Sequence, residues 1–312
     1  MRVKDASPIE TPAETVIILN PAARNMPNRE SLSEADRWLQ EHGWHTQWLE
    51  TTRPREATAM AARAAEQGVP LIFVCGGDGT VSEAANGLAG SETALATIRG
   101  GTSNIWAREA GIPRRPVEAV RACVQGERRQ VDLGRAGDRY FLLMAGFGLD
   151  GLITRNVSLS LKRRLGTTAY ALTAVREAWR YRGAPLSLRL DGETHKANVL
   201  LLVAGNTRNY AGVTEVTPEA RIDDGLLDVC IYEGRGRADI VMHTLRTLLR
   251  RHRRSSRVRY ARVRRLELAY EEPLPLQLDG EAIVDSPTEV TVAPAALWVT
   301  VPRGLKSPLY LG

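Results

Sequence analysis

Paired cysteines, clustered histidines, long apolar runs and aromatic side chains are all scarce in this 312-residue chain. Cys75, Cys123 and Cys230 stand apart, without the spacing of a disulfide framework or a zinc site. The five histidines are scattered and no HExxH helix exists, so transition-metal chemistry is disfavoured. The cysteines read instead as small buried hydrophobes of a reducing compartment. No apolar run approaches the roughly 18 residues of a membrane-spanning helix. FLLMAGFGL (141–149) and ANVLLLVAG (197–205) have the length of buried strands. Residues 1–14, MRVKDASPIETPAE, carry charges and prolines but no apolar signal core, so they read as a flexible tail and export is not expected. The glycine pattern GxxxxGK[ST] is missing, and so is a GxGxxG after the first strand. Those absences argue against a P-loop enzyme and an ordinary dinucleotide binder.

Hydrophobic residues make up 43% and charged residues 25%, the balance of an ordinary globular protein. The formal charge of +6 is unevenly placed. From Arg246 to Arg265 the chain holds ten arginines and no acid. Such a block implies an anionic partner or a solvated face. Nucleic acid is not expected, because only Tyr260 interleaves the arginines and no nucleic-acid-binding motif appears. An anionic membrane surface fits the charge, at about 1 kcal/mol per basic residue near the headgroups.

Up to about residue 130, strand and helix patterns alternate. Strands are predicted at 15–20, 45–51 and 69–75, with another opening the segment 93–113. Helices are predicted at 31–43, with a serine cap and a glycine stop, then at 54–68, through Leu88, after the glycine turn near 100, and at 116–127. That alternation argues for a parallel α/β sheet. Beyond about Val131, DRYFLLMAGF, PLSLRLDG, KANVLLLVAG, LLDVCIYEG, VRRLELAYEE, LPLQLDGE, TEVTVAP and LWVTVPRG read as strands, and only about 160–182 and 236–254 have helical length. A boundary near 131–138 therefore divides an α/β domain from a sheet sandwich.

The segment VCGGDGTVSEAANGL (74–88) places an acid inside a glycine turn that follows a strand and opens a helix. Gly76 and Gly77 lack a Cβ, so a ligand can lie against the backbone, and a helix N-terminus favours phosphate. Asp78 would repel that phosphate unless a magnesium ion lies between them or Asp78 takes a proton from an attacking hydroxyl. Asp78 as a plain helix cap is the third reading. A second glycine turn, RGGTSNIWARE (99–109), with Gly100, Gly101, Thr102 and Asn104, offers another lip for one cleft.

These motifs resemble the diacylglycerol kinase catalytic-domain family, especially its soluble bacterial lipid kinases. GGDGTVSEAANGL matches the family's GGDGTxxExxNGL, and GGTSNIWARE matches GTxNxxAR. GFGLDG (146–151), VTPEARIDDGLLDV (216–229) and LDGE (278–281) follow in the family's order. The resemblance runs from Ile17 to about Val301. It implies an α/β N-terminal domain with a mostly parallel, NAD kinase-like sheet over 15–135, completed by 302–312. It also implies a C-terminal β-sandwich over 136–301 that takes the lipid, with ATP bound between the two.

By resemblance, Gly76, Gly77, Asp78, Gly79, Thr80 and Glu83 belong to the nucleotide-binding turn, joined by Asn20, Arg24, Thr51, Thr102 and Asn104. Glu281 and Asp78 are the candidate proton acceptors, and Asp150 faces the acceptor hydroxyl. The carbonyls of Arg221 and Leu226, with the Asp224 carboxylate, match a structural magnesium site. The implied reaction is ATP- and Mg²⁺-dependent phosphorylation of a membrane lipid by a cytoplasmic, peripherally membrane-associated kinase, its membrane contact through Arg246–Arg265. Whether it acts as a homodimer is left open. A NAD kinase-like enzyme and a non-catalytic lipid- or nucleotide-binding regulator are the alternatives. Two departures from the family pattern stand out. NPAARN (20–25) replaces NPxSGK, so Arg24 and Asn25 stand for glycine and lysine, and Gly100 stands for the proline of PxGT. Arg24 could supply the positive charge, though its planar fork differs from a lysine's point charge.

Overall fold

The computed structural model describes residues 9–156, 173, 176–210, 212, 214–284 and 286–310. Residues 1–8 of the expected tail, and most of the expected helix at 160–182, lie outside that set. The chain divides into two compact units. The first comprises Met1–Leu133, Ile222–Asp224 and Ala293–Gly312; the second comprises Gly134–Arg221 and Gly225–Val292. The final segment thus belongs to the first unit from Ala293, earlier than the predicted 302.

The first unit is an α/β domain. Its strands are β1 (Ala13–Leu19), β2 (Trp44–Glu50), β3 (Leu71–Gly76), β4 (Ala94–Arg99) and most of β5 (Glu127–Ala136). Its helices are α1 (Arg29–Glu41), α2 (Glu56–Glu66), α3 (Asp78–Leu88), α4 (Ile105–Glu109) and α5 (Pro116–Val124). Parallel pairing gives the order β2-β1-β3-β4, and the last strand of the chain, β17 (Glu289–Val301), adds to β4 through Trp298 and Val299. Val16–Ile18 and Leu71–Cys75 are fully buried runs, the pattern of strands covered on both faces. The connection from β1 leads outward to β2, whereas that from β3 leads the other way to β4. The carboxyl ends of β1 and β3 therefore flank a topological switch point, where open α/β sheets bind ligands.

Local signals explain the helix limits. Asn28, not Ser31, caps α1: its side chain accepts the Ser31 N–H at 2.9 Å, so the helix starts at Arg29, two residues before the predicted start. Buried Ala57, Ala61 and Ala64 give α2 a thin face, and α3 packs onto it closely. A Cβ on Gly87 would come within 2.2 Å of the Thr58 carbonyl, so that glycine serves the α2–α3 contact.

The second unit is antiparallel and sandwich-like. It holds β6 (Arg139–Phe141), β7 (Met144–Gly148), α6 (Leu149–Asn156), β8 (Ala184–Leu190), β9 (Glu193–Gly205), β10 (Asn209–Tyr210), β11 (Thr214–Glu215) and β12 (Leu227–Glu233). Helix α7 (Arg237–Leu248) follows, then β13 (Val258–Val263), β14 (Arg265–Ala269), β15 (Leu276–Leu278), β16 (Glu281–Ile283) and the start of β17. The order β16-β15-β7-β9-β8-β14-β17 has β12 pairing with β9 and β13. Phe141, Phe147, Leu202, Ile231, Leu266 and Leu276 anchor its core.

Three predicted limits are corrected here. DRYFLLMAGF is two strands, broken at Leu142–Leu143. TEVTVAP and LWVTVPRG are one strand, β17, kinked where Ala295 adopts φ 50° and its N–H meets the buried Asp132 carboxylate at 2.7 Å. Strand β13 lies inside the arginine block. Its two valines, Val258 and Val263, are buried, and its two arginines, Arg259 and Arg262, are exposed and pair with Glu233 and Asp228, a division of roles that the charge density conceals.

Candidate active site

The two glycine turns of the first unit lie against each other. The Gly100 N–H donates to the Gly76 carbonyl at 2.9 Å. A Cβ on Gly101 would come within 2.5 Å of the Gly77 Cα, so backbone-to-backbone approach requires glycine there. Asn104, at φ 45°, closes the second turn. Its Oδ1 accepts the Gly101 N–H at 2.9 Å and its amide donates back to the Gly101 carbonyl at 2.7 Å. Thr102 is exposed in this turn.

Asp78 is the first residue of α3, one position inside its N-cap. Gly77 is the N-cap of α3, in extended conformation and without a side-chain cap bond. The Asp78 Oδ1 instead accepts the Trp106 N–H at 3.1 Å, in the first turn of α4. The carboxylate thus ties the first turn to the second and stands at the N-terminal ends of two helices, whose dipoles favour its negative charge.

Several glycines here have an internal steric reason; Gly79 has none, because a Cβ there would meet nothing within 4 Å. Gly79 and Glu83, four residues apart in α3, share a helix face. The Thr80 side chain is buried, and its hydroxyl accepts the Asn20 amide at 2.9 Å. Asn20 also donates its N–H to the Cys75 carbonyl at 2.9 Å, while its Oδ1 accepts the Ala22 N–H at 3.0 Å. The end of β1 is thereby fastened to the start of α3. Thr51 is buried at the end of β2, its N–H on the Leu19 carbonyl at 2.9 Å. The structure therefore brings Asn20, Gly76–Thr80 and Asn104 together at the switch point, with Arg24 exposed in the loop after β1.

Two residues that sequence reasoning assigned no role complete this corner. Asn25 donates its N–H to the Gly100 carbonyl at 3.0 Å and its amide to the Gly101 carbonyl at 3.3 Å. The altered NPAARN loop thus holds the second turn directly. Arg99 donates to the Ala107 carbonyl at 3.2 Å and to the Ile112 carbonyl, which pins α4; burial lowers its pKa. Its position just before the GGT turn was the only sequence signal.

In the second unit, Asp279 and Gly280 form the turn between β15 and β16, with φ 49° and 83°. Positive φ at both positions is the type I′ geometry that Asp-Gly favours. The Asp279 carboxylate accepts the N–H groups of Leu142, Leu143 and Met144 at 2.7–2.9 Å, which accounts for the break between β6 and β7. Glu281 follows the turn, and its Oε2 accepts from Arg139 at 2.6 Å. The separation of 142 residues between them hid this pair from sequence reasoning.

Asp150 is buried rather than open to solvent. Its Oδ1 accepts the Tyr210 hydroxyl, and its Oδ2 accepts the Gln277 amide at 2.8 Å. Desolvation raises its pKa and these two donors oppose the rise. The Gln277 Oε1 accepts the Gly280 N–H at 2.6 Å, so Asp150 supports the turn that carries Glu281.

Arg221, Asp224 and Leu226 lie in the short segment before β12. Two carbonyls and a carboxylate would be an oxygen-only donor set, the chemistry that suits magnesium or calcium. Among the described residues no three His, Cys, Asp or Glu side chains gather to hold a metal. Cys75, Cys123 and Cys230 are free and buried, and burial pushes their thiols up to about 12, about 11 and about 12. None of them is a nucleophile near neutral pH. No helix among the described residues is long and apolar enough to cross a membrane.

Comparison with known proteins places this geometry in a family. Residues 14–136 match the diacylglycerol kinase catalytic domain, and residues 144–301 match the YegS C-terminal NAD kinase beta sandwich-like domain. A protein of Chromohalobacter salexigens named "Probable lipid kinase YegS-like" is 32% identical, covering 95% of this chain and 96% of its own. The diacylglycerol kinase of Bacillus subtilis is 29% identical, covering 85% and 88%. The crystal structure of a diacylglycerol kinase from Bacillus anthracis superposes with a TM-score of 0.75 at 25% identity, covering 93% of this chain and 97% of its own. The chain belongs to the diacylglycerol kinase catalytic-domain family, in the form that pairs an α/β domain with a YegS-type, NAD kinase-like β-sandwich.

Proposed function

We propose that this chain transfers the γ-phosphoryl group of ATP, with Mg²⁺, to a hydroxyl of a membrane lipid such as diacylglycerol. The observation that carries the reading is Gly79: a glycine with no internal steric reason, on an uncapped helix start, at the switch point of a parallel sheet. A triphosphate lies against backbone N–H groups there, and Gly79 leaves room for it. Thr80 and Asn20 hold the turn, and Thr51, Glu83, Thr102, Asn104 and Arg24 contact the remainder of the nucleotide.

Mg²⁺ would supply charge neutralisation at the phosphates, and Asp78 is the carboxylate that would hold it. The Asp224 carboxylate and the carbonyls of Arg221 and Leu226 are the groups that would hold a second, structural ion. The lipid hydroxyl oxygen attacks the γ-phosphorus, the bond to the bridging oxygen breaks and ADP leaves. The proton passes to the Glu281 carboxylate, which Arg139 orients; Asp78 is the alternative acceptor. Asp150 acts on this step by supporting the Asp279–Gly280 turn through Gln277, a positioning role in place of direct contact with the hydroxyl.

The kinase is peripheral, and an anionic membrane surface presents its acceptor. The test is phosphate transfer from labelled ATP with diacylglycerol, phosphatidylglycerol, a sphingoid base and NAD offered in parallel. Transfer to a lipid that is lost on chelation of Mg²⁺ and in Glu281→Gln is the expected result. Transfer to NAD alone overturns the lipid assignment, and no transfer to any acceptor leaves a binding regulator.

A further inference from the structure

Helix α7 is amphipathic in the reverse of the usual sense. Ile240 and His243 face the protein, and the Thr247 hydroxyl lies 3.0 Å from the Tyr232 hydroxyl. The opposite side carries Val241, Met242, Leu245, Leu248 and Leu249, each between 47% and 64% exposed. At 3.6 residues per turn these five fall within an arc of about 120°, and the exposed Ala238 lies in the same arc. Water-facing helices place polar residues there, and contiguous exposed apolar patches mark interaction sites. Trp179, 62% exposed, stands at the start of the helix, where the Arg237 guanidinium lies 4.2 Å over its ring. Tryptophan is a residue of membrane interfaces.

Eight of the ten arginines of the block fall into two groups. Arg253, Arg257, Arg259, Arg262 and Arg265 pair with Glu219, Asp239, Glu233, Asp228 and Glu289, which leaves them a structural role. Arg250, Arg251 and Arg254, immediately after the apolar face, are exposed, and among the described residues no carboxylate pairs with them.

We propose that α7 is an interfacial helix whose apolar face enters an anionic bilayer at the boundary of headgroups and acyl chains, while Arg250, Arg251 and Arg254 meet lipid phosphates. Charge complementarity selects this occupant. A second copy docking through the same face would bring equivalent patches, and like charges, together. The assignment rests on the lipid-kinase reading for why a bilayer is the partner, and it replaces general attraction by the arginine block with insertion of one defined face.

The experiment uses the full chain. All three native cysteines are buried, so Leu245→Cys can be labelled alone with an environment-sensitive fluorophore. With phosphatidylglycerol vesicles the emission should shift to the blue and be quenched by lipid-borne quenchers; with phosphatidylcholine vesicles both effects should be weak. The variant Leu245→Gln/Leu248→Gln/Leu249→Gln changes exposed side chains only. It should keep its Tm and lose vesicle partitioning by roughly tenfold or more. Arg250→Gln/Arg251→Gln/Arg254→Gln should weaken binding and flatten its dependence on salt. A label that stays in water on vesicle-bound protein overturns the proposal, as does a triple leucine variant that binds like the unaltered chain. A dimer in sedimentation that the leucine variant disrupts also overturns it, because the face is then covered by a second copy. Vesicle binding is read without phosphate transfer, so failure of the kinase reading would show separately, as binding without transfer to any lipid.

Discussion

At Gly79 a methyl group would meet nothing within 4 Å, whereas at Gly77, Gly101 and Gly87 it would press on neighbouring backbone. This difference separates a glycine kept for packing from one kept for a ligand. Gly79→Ala should leave the Tm unchanged or slightly higher, since alanine is the better helix former by about 1 kcal/mol. The KM for ATP should rise at least about tenfold, as the bound phosphates lose close approach to the backbone. A thermal melt beside ATP kinetics checks both, and an unchanged KM would remove Gly79 from the nucleotide site. Arg139 acts at the same scale. It is a positioning residue for Glu281, so Arg139→Gln should lower kcat by roughly 10- to 100-fold, the loss associated with misplacement of about 1 Å. The KM for ATP should stay put and Arg139→Lys should restore part of kcat. The motif GGDGT was legible in the sequence as a turn. The bond from Asp78 to Trp106, and the pairing of Glu281 with Arg139, were not, because each joins residues that only tertiary folding brings together.

Among the elements, the contact between α2 and α3 leaves no room for a methyl group at Gly87. Alanine at 87 would favour helix by propensity, yet its Cβ would lie 2.2 Å from the Thr58 carbonyl and 3.0 Å from the Ala62 nitrogen. Overpacking wins, so Gly87→Ala should destabilise by about 1–3 kcal/mol in urea unfolding. The N-terminal end of α2 is held by the Glu56 carboxylate, which accepts the Thr52 N–H at 2.6 Å and the Arg53 side chain at 2.7 Å. These bonds hold its pKa down from the usual 4.5 to about 2. The folded value lies below the unfolded one, so the stability from Glu56 is present above about pH 4.5 and is lost as pH falls toward 2. Glu56→Gln should flatten the decline of Tm across that window. Most strands and helices of the first unit were visible as alternating apolar runs bounded by glycine and proline. The errors lay where a side chain overrides local pattern: Asn28 caps α1 in place of Ser31, and Asp279 breaks the strand at Leu142.

For the whole molecule, the chain's last stretch decides whether the first unit is complete. Leu297, Val299 and Val301 of β17 are fully buried there, and the strand pairs in parallel with β4. At about 1.5–3 kcal/mol each, these side chains contribute an amount comparable to the net stability of a domain. A chain ending at Val292 should therefore fail to give a cooperative melt, as read by circular dichroism and size-exclusion chromatography. Motif order and strand–helix rhythm were enough, by themselves, to determine the family, the mostly parallel N-terminal sheet and the strand-rich second half. Those features are written in local periodicity and in turns whose residues stand next to one another. Only the tertiary structure decided that Asp78 serves a neighbouring helix, that Asp150 is a buried support and that β17 is shared between the two units. It also decided that half of the arginine block is spent on internal ion pairs while an apolar helix face stands open beside the rest. These outcomes depend on which distant groups meet and which are left facing water, and that is settled by packing of the whole chain.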